Sequence, residues 1–344
     1  MPLLCRGSTR SATLAALLLG LAASGSNADA PVEAESEVGR FLASIETSGP
    51  LQAFLNKTIE GLLASDTALR KQEVRVSVID LPVSGRPQEA GWNGDSPVYP
   101  ASVVKFVYLI AAFAWRDRGW LTSDPQFDRE LRSMIFKSSN RATQVVLRRL
   151  TDTRAGPRLD ESNYAEFRER RHRVRDWLED LGITDLHTVH PTYDGGGDLY
   201  GRDLQFLEDT AVEGALPGQK GPYFNRQAMT ADGTARLLAL LALDLVLAPE
   251  TSAEVRERMR RDTKTQPYLV HRIAGGADRR RDIEVYSKTG TWGPIFADAG
   301  ILRHDSGHQL VVVAFIRGRP AYRGPFIAKL TRALVNKKFP TSSR

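Results

Sequence analysis

Between Ala101 and Trp115 the sequence carries one charged residue, Lys105, in an otherwise apolar run. A helix that is apolar nearly all round packs in a core, and a lysine carried there loses hydration. Its pKa falls, and it can then accept a proton. Ser102 lies three positions earlier, so the two side chains are neighbours on one helix face. A serine beside a neutral amine can act as a nucleophile. Pro100 places Ser102 in the first helical turn, where free backbone N–H groups and the helix dipole favour a developing oxyanion. The plainer reading, serine as cap and lysine in water, leaves Lys105 without a polar face to use.

Two further segments supply what such a pair needs. Ser138-Ser139-Asn140 opens an amphipathic run, and Ser138 can cap that helix. On a catalytic reading Ser138 relays a proton, while Asn140 holds a substrate amide and the lysine. Lys288-Thr289-Gly290-Thr291 ends a strand-like stretch. Lys288 would bind a carboxylate and tune Ser138, Thr289 would add a hydroxyl donor, and Gly290 would let a substrate approach the backbone. The N–H groups of Ser102 and Thr291 would hold the oxyanion.

Ser-x-x-Lys, Ser-x-Asn and Lys-Thr-Gly in this order resemble the penicillin-recognising serine enzymes, class A β-lactamases and penicillin-binding proteins. The resemblance spans about residues 51–338. It is closest in Ser102-Val-Val-Lys105, Ser138-Ser-Asn140-Arg-Ala-Thr, Met229-Thr230-Ala231 and Lys288-Thr-Gly-Thr291. It implies an α+β fold: a five-stranded antiparallel sheet flanked by helices, with an all-helical lobe and the site between them. It also implies acyl transfer through a serine ester on a β-lactam or a D-alanyl-D-alanine peptide, with no cofactor and no metal; a non-hydrolytic β-lactam or wall-binding module is the alternative from another class. Ser139 stands where the family usually has aspartate. The family's deacylating glutamate has no clear counterpart. The local match puts Asp209 at its position, one methylene shorter, with Glu213 at that of the asparagine and Glu208 as a second candidate.

The elements that must carry these residues follow from periodicity. Strands are predicted over 74–80, 89–92, 283–289, 296–303 and 309–316. Helices are predicted over 51–70, 101–115, 126–136, 140–150, 161–181, 231–247, 250–261 and 325–336. Strands at both chain ends, with a helical lobe at about 117–245 between them, predict one mixed sheet. Residues 182–227 read as loop.

The amino end reads as a secretion signal over 1–28: Arg6 and Arg10, an apolar run from Ala12 to Ala23, then small residues to Ala28. Cleavage would remove Cys5, the one cysteine, and leave no stable membrane anchor, which predicts a bacterial periplasm or cell envelope. Residues 29–50 read as a tether to a catalytic domain at 51–338. A net charge of +6 without a long basic run argues against nucleic acid and allows anionic small substrates; a monomer is expected. Tyr223-Phe-Asn225 is a weaker alternative to Ser138. His172, His187 and His190 match no zinc spacing and read as surface histidines, and Asp194–Asp198 lacks a calcium register. Arg303 is a lesser candidate for a carboxylate contact.

Overall fold

The computed structural model describes residues 36–122, 124–194, 199–211, 215–216 and 223–340. The leader expected at 1–28, Glu213, and the turns at 195–197 and 217–218 lie outside the described residues. In chain order the elements are α1 (Glu37–Ser44), β1 (Glu46–Thr47), α2 (Gly49–Ser65), β2 (Glu73–Leu81), β3 (Gln88–Trp92) and α3 (Lys105–Asp117). The lobe follows: α4 (Pro125–Phe136), α5 (Asn140–Thr151), α6 (Glu161–Asp180), β4 (Leu186–His187), α7 (Gly201–Leu207), β5 (Ala228–Met229), α8 (Ala231–Ala242) and α9 (Pro249–Arg258). The chain closes with α10 (Ile273–Ala277), β6 (Ile283–Trp292), β7 (Ile295–His304), β8 (Gln309–Arg317) and α11 (Phe326–Lys338).

Sequence chemistry marks where many helices start. Ser48, Asp124, Ser139, Asp160 and Thr230 each accept a backbone N–H from the first turn of the helix they precede. The main sheet runs β1-β3-β2-β8-β7-β6. Its central strand β8 is apolar from Leu310 to Ile316 because it is buried on both faces. Leu310, Val312, Ala314 and Ile316 face a core shared with α2 and α11, whereas Val311, Val313 and Phe315 face one shared with α3 and α8. The predicted sheet is therefore sandwiched as expected, but it has six strands, not five. The sixth is β1, which pairs parallel to β3 through Glu46 and Thr47. Two residues carry no alternation, so periodicity could not reveal it.

Two other expectations change. The stretch 29–50 was expected as a tether, yet within it Glu37–Ser44 is helical and Glu46 N–H donates to Pro87 O. The helix expected from Ala101 begins as a 3₁₀ turn over Ala101–Val104, and α3 starts only at Lys105. Ala101 has φ 49°, a left-handed conformation that breaks the α geometry just before Ser102. Such strain at a non-glycine residue persists where packing over-determines it, and Ala101 is buried.

Candidate active site

Ser102 is half-buried and lines a cavity of 380 Å³ together with Tyr99, Asn140, Tyr193, Asp194, Arg226 and Thr291, among others. The 3₁₀ turn that carries it is packed against β6. Gly290 permits that contact: a Cβ there would meet Pro100 O at 2.8 Å and Val103 Cγ2 at 3.0 Å. The glycine thus serves the approach of strand to nucleophile turn, where the sequence reading gave it to a substrate.

Lys105 follows on the same turn and is fully buried. Its Nζ donates to Ser138 O (2.5 Å) and Asn140 Oδ1 (2.7 Å), with Ser138 Oγ at 3.4 Å. Burial pulls its pKa from 10.5 to about 7, with the carboxylate of Asp194 acting in the opposite direction. At neutral pH a large fraction is therefore the free amine, the form a general base requires.

Ser138 does not cap α5; its neighbour does. Ser139 Oγ accepts from Ala142 N–H at 3.1 Å, the cap that sequence reading allowed to Ser138. Either aspartate or serine caps a helix well, so the departure from the family's aspartate leaves this element intact. Ser138 itself has φ 55°, and its Oγ accepts from Lys288 Nζ at 3.0 Å. With two amines donating, its own hydroxyl hydrogen is left to point elsewhere. Lys288 also donates to Thr289 O (2.9 Å) and is fully buried. Burial, and then the charge of Lys105, push its pKa well down. It does not line the cavity, so of its two expected roles the tuning of Ser138 is the one the geometry carries.

β6 is the edge of the sheet. Ser287 N donates to Met259 O and Arg261 N donates to Val285 O, both away from β7. Alternation then turns the backbone of Thr289 and Thr291 outward as well. Thr291 lines the same cavity as Ser102. Arg272, which sequence reading missed, donates to Thr291 Oγ1 (2.5 Å) and Ala297 O (2.6 Å), stacking 3.5 Å over Phe296. Thr291 is thereby left to donate its own hydroxyl hydrogen into the cavity. Burial lowers Arg272 to about 10, so it stays cationic at neutral pH. Arg303 is instead exposed and paired in register with Glu284, remote from Thr291 along β7.

Asp209 is not brought to this site. Its Oδ2 accepts from Tyr164 at 2.7 Å and lies 3.7 Å from Arg168, its Oδ1 accepts from Ala211 N, and it lines no wall of the cavity. Glu208 pairs with Arg158. Among the described residues the acid that lines the cavity stands earlier in the chain, Asp194. The loop carrying Asp194 is pinned from three sides. Tyr108 OH donates to His190 O (2.5 Å), Asn140 Nδ2 donates to Tyr193 O (3.1 Å), and His190 Nε2 lies 2.7 Å from Asn225 O. Asn225, fully buried, further donates to Phe206 O and binds His187, so it is a structural hub and no part of a Tyr-x-Asn motif at the nucleophile. His190 is likewise buried, contrary to the surface reading, and burial pushes its pKa well down. Among the described residues no cluster of His, Asp and Glu is placed to hold a metal.

Ser102 opens to a cavity one turn before a buried lysine, and that lysine meets a second serine which a further lysine on the sheet edge also contacts. The sequence matches the family model of the beta-lactamase enzyme family over residues 129–338, and the chain belongs to that family. That match covers Ser138 and Lys288 but begins after Lys105, so the placing of Ser102 and Lys105 rests on the geometry above. Similar solved structures include the beta-lactamase from Sphaerobacter thermophilus, 18% identical, with a TM-score of 0.57 over 82% of this chain and 97% of that one. Another is PBP-A as an acyl-enzyme complex with penicillin G, 17% identical, TM-score 0.56, covering 82% and 96%. A third is the last common ancestor of Gram-negative bacteria class A beta-lactamase, 18% identical, TM-score 0.55, covering 83% and 99%. At such identities the likeness is one of fold. Comparison with curated protein sequences gives no match.

Proposed function

We propose that the chain is a serine hydrolase that opens β-lactams through an ester on Ser102. The observation that carries this is Lys105, a buried amine held by Ser138 and Asn140 one turn from a serine that opens to a cavity. Lys105 takes the proton of Ser102 as Oγ attacks the lactam carbonyl. The N–H groups of Ser102 and Thr291 receive the oxyanion, where a single such donor is typically worth about 3–4 kcal/mol. Ser138 returns a proton to the leaving nitrogen. Thr291, backed by Arg272, offers a donor to the substrate carboxylate. The Asp194 carboxylate is the general base for the second half-reaction, taking a proton from the water that attacks the ester.

The outward backbone of Thr289 and Thr291 also fits an extended D-alanyl-D-alanine peptide, so a carboxypeptidase or transpeptidase on cell wall is the second reading. Either fits an exported protein. The basic and apolar residues at 1–28 support a cleaved leader and a cell-envelope location, and among the described residues no helix is long and apolar enough to cross a membrane.

Intact-mass measurement tests the reading. Protein recovered from the producing cell is expected to begin near Asp29 and to gain one penicillin on mixing, whereas Ser102→Ala, still folded, gains none. Full labelling of that variant would remove Ser102 from the mechanism.

A further inference from the structure

Beyond the wall formed by Tyr99, Arg226 and Trp292 lies a second cavity of 340 Å³, and these three residues line both spaces. Its charge is one-sided. Arg75, Arg226, Arg317 and Arg319 line it, and among the described residues no acidic side chain does. Arg75 and Arg317 share a single partner, Glu73. Arg226 and Arg319 have no acidic partner among the described residues. Arg75 Nε and Nη1 are shut off from solvent, so Arg75 acts on the cavity through its charge from within the wall, and Arg226 and Arg319 are the guanidiniums placed to meet an anion.

Arg226 is poised rather than merely exposed. Its guanidinium lies 4.0 Å over the Tyr99 ring and 4.8 Å over that of Trp292, and the two rings meet edge to face at 5.3 Å. Stacking occupies the guanidinium face and leaves its N–H edges to fork a carboxylate. The larger charged cavity elsewhere, 730 Å³ beside α4 and α9, is the useful contrast. There acids and arginines line the cavity together, and Asp128, Glu254 and Glu257 pair with Arg258 and Arg260.

The direction of the bound substrate follows from the chemistry. The scissile nitrogen must face Ser138, which stands beside Lys288. The acyl part then extends the other way along β6, toward Trp292, four residues and roughly 13 Å further on. That end opens into the arginine cavity. We propose that this cavity is a subsite for a carboxylate carried on the acyl side chain of the substrate, so that the enzyme prefers acyl donors that are anionic at the end remote from the reacting bond. The inference rests on the reading of Ser102 as the acylated residue. Its ligand class is an amide-linked acyl chain ending in a carboxylate, whether on a β-lactam or on an acidic peptide.

Matched penicillins test it: one with a linear side chain ending in a free carboxylate, and its methyl ester, identical except for the charge. Acylation rates of the full chain are read by intact mass. The carboxylate is expected to acylate at least tenfold faster than the ester at low salt, and the ratio to shrink as salt rises. In Arg319→Gln, and more so with Arg226→Gln added, the ratio is expected to fall at least threefold, with melting temperature recorded to show that both variants are folded. An N-acyl-D-alanyl thioester with and without a terminal carboxylate extends the comparison to the peptide source. A ratio near one in the wild type, or a tenfold ratio that survives in the double variant, overturns the subsite while leaving acylation of Ser102 in place. Absence of any adduct with both penicillins overturns the hydrolase reading and this inference with it.

Discussion

Lys105 ties the chemistry to pH. In the mechanism proposed for it the base is the neutral amine, and its pKa is about 7 where an unburied lysine has 10.5. Acylation by penicillin is therefore expected to rise as pH climbs toward about 7 and to level above it, measured as the second-order rate of adduct formation. A flat profile between pH 5.5 and 8.5 would contradict the buried base. Stability moves in the same sense for a separate reason. Between about 7 and 10.5 the unfolded chain binds a proton that the native site has released, so unfolding becomes harder as pH rises through that window. Lys105→Met should lose the acylation and this slope together. The two acids are distinguished by a different measurement. Asp194→Asn is expected to prolong the Ser102 adduct at least tenfold, whereas Asp209→Asn, which only weakens the contacts with Tyr164 and Arg168, should leave its lifetime within about twofold. The reverse pattern would return the role to Asp209. The burial of Lys105 one turn after Ser102 was legible because an apolar run leaves a lysine no polar face. Asp194 and Arg272 were not, since neither stands in a spacing that marks it. A base in a loop and an arginine under a strand become visible only when the chain brings them to Ser102.

At the scale of elements, β6 and the 3₁₀ turn form one device. The strand was predicted to 289 but runs to Trp292, and those last residues form the edge that faces the nucleophile. Periodicity missed them because Gly290, Thr291 and Trp292 do not alternate; the geometry needs a residue without Cβ where strand meets turn. Gly290→Ala would place a carbon 2.8 Å from Pro100 O and 3.3 Å from Val103 N, both backbone atoms that cannot swing aside. Overpacking of this kind typically costs about 1–3 kcal/mol, and here the displacement falls on the turn that aims Ser102. Acylation is expected to slow at least tenfold in a protein that still melts cooperatively. Unchanged acylation would show that the turn can retreat without moving the serine. The central strands were legible for the opposite reason. In β2 and β8 apolar content marks burial directly, while β1 has only pairing with β3 to define it.

For the molecule as a whole, the site depends on a helical lobe whose composition is strongly charged, and the lobe's interior is tied by ions as well as apolar contacts. Arg171 on α6 and Asp203 on α7 are both fully buried and paired, and Asp203 Oδ2 also accepts from Arg148 on α5 at 3.0 Å. Arg171 Nε donates to Thr153 Oγ1 at 2.9 Å, so the charge is held from several sides. Three helices thus meet on one carboxylate, beneath the loop that carries Asp194. The sequence displays these residues as ordinary charges in amphipathic runs, and only the packing shows that they face inward. Removing one member of a buried pair leaves the other desolvated and uncompensated, typically at about 3–5 kcal/mol. Asp203→Asn keeps the shape of the side chain and deletes its charge, so the buried Arg171 loses its carboxylate and Arg148 loses it too. For a chain of this size such a loss corresponds to a fall of roughly 5–10 °C in melting temperature. Differential scanning calorimetry reads it, and Ser102 should still take up penicillin at 25 °C in the folded fraction. A melting temperature within a degree of the wild type would mean that apolar packing alone holds α5, α6 and α7 together.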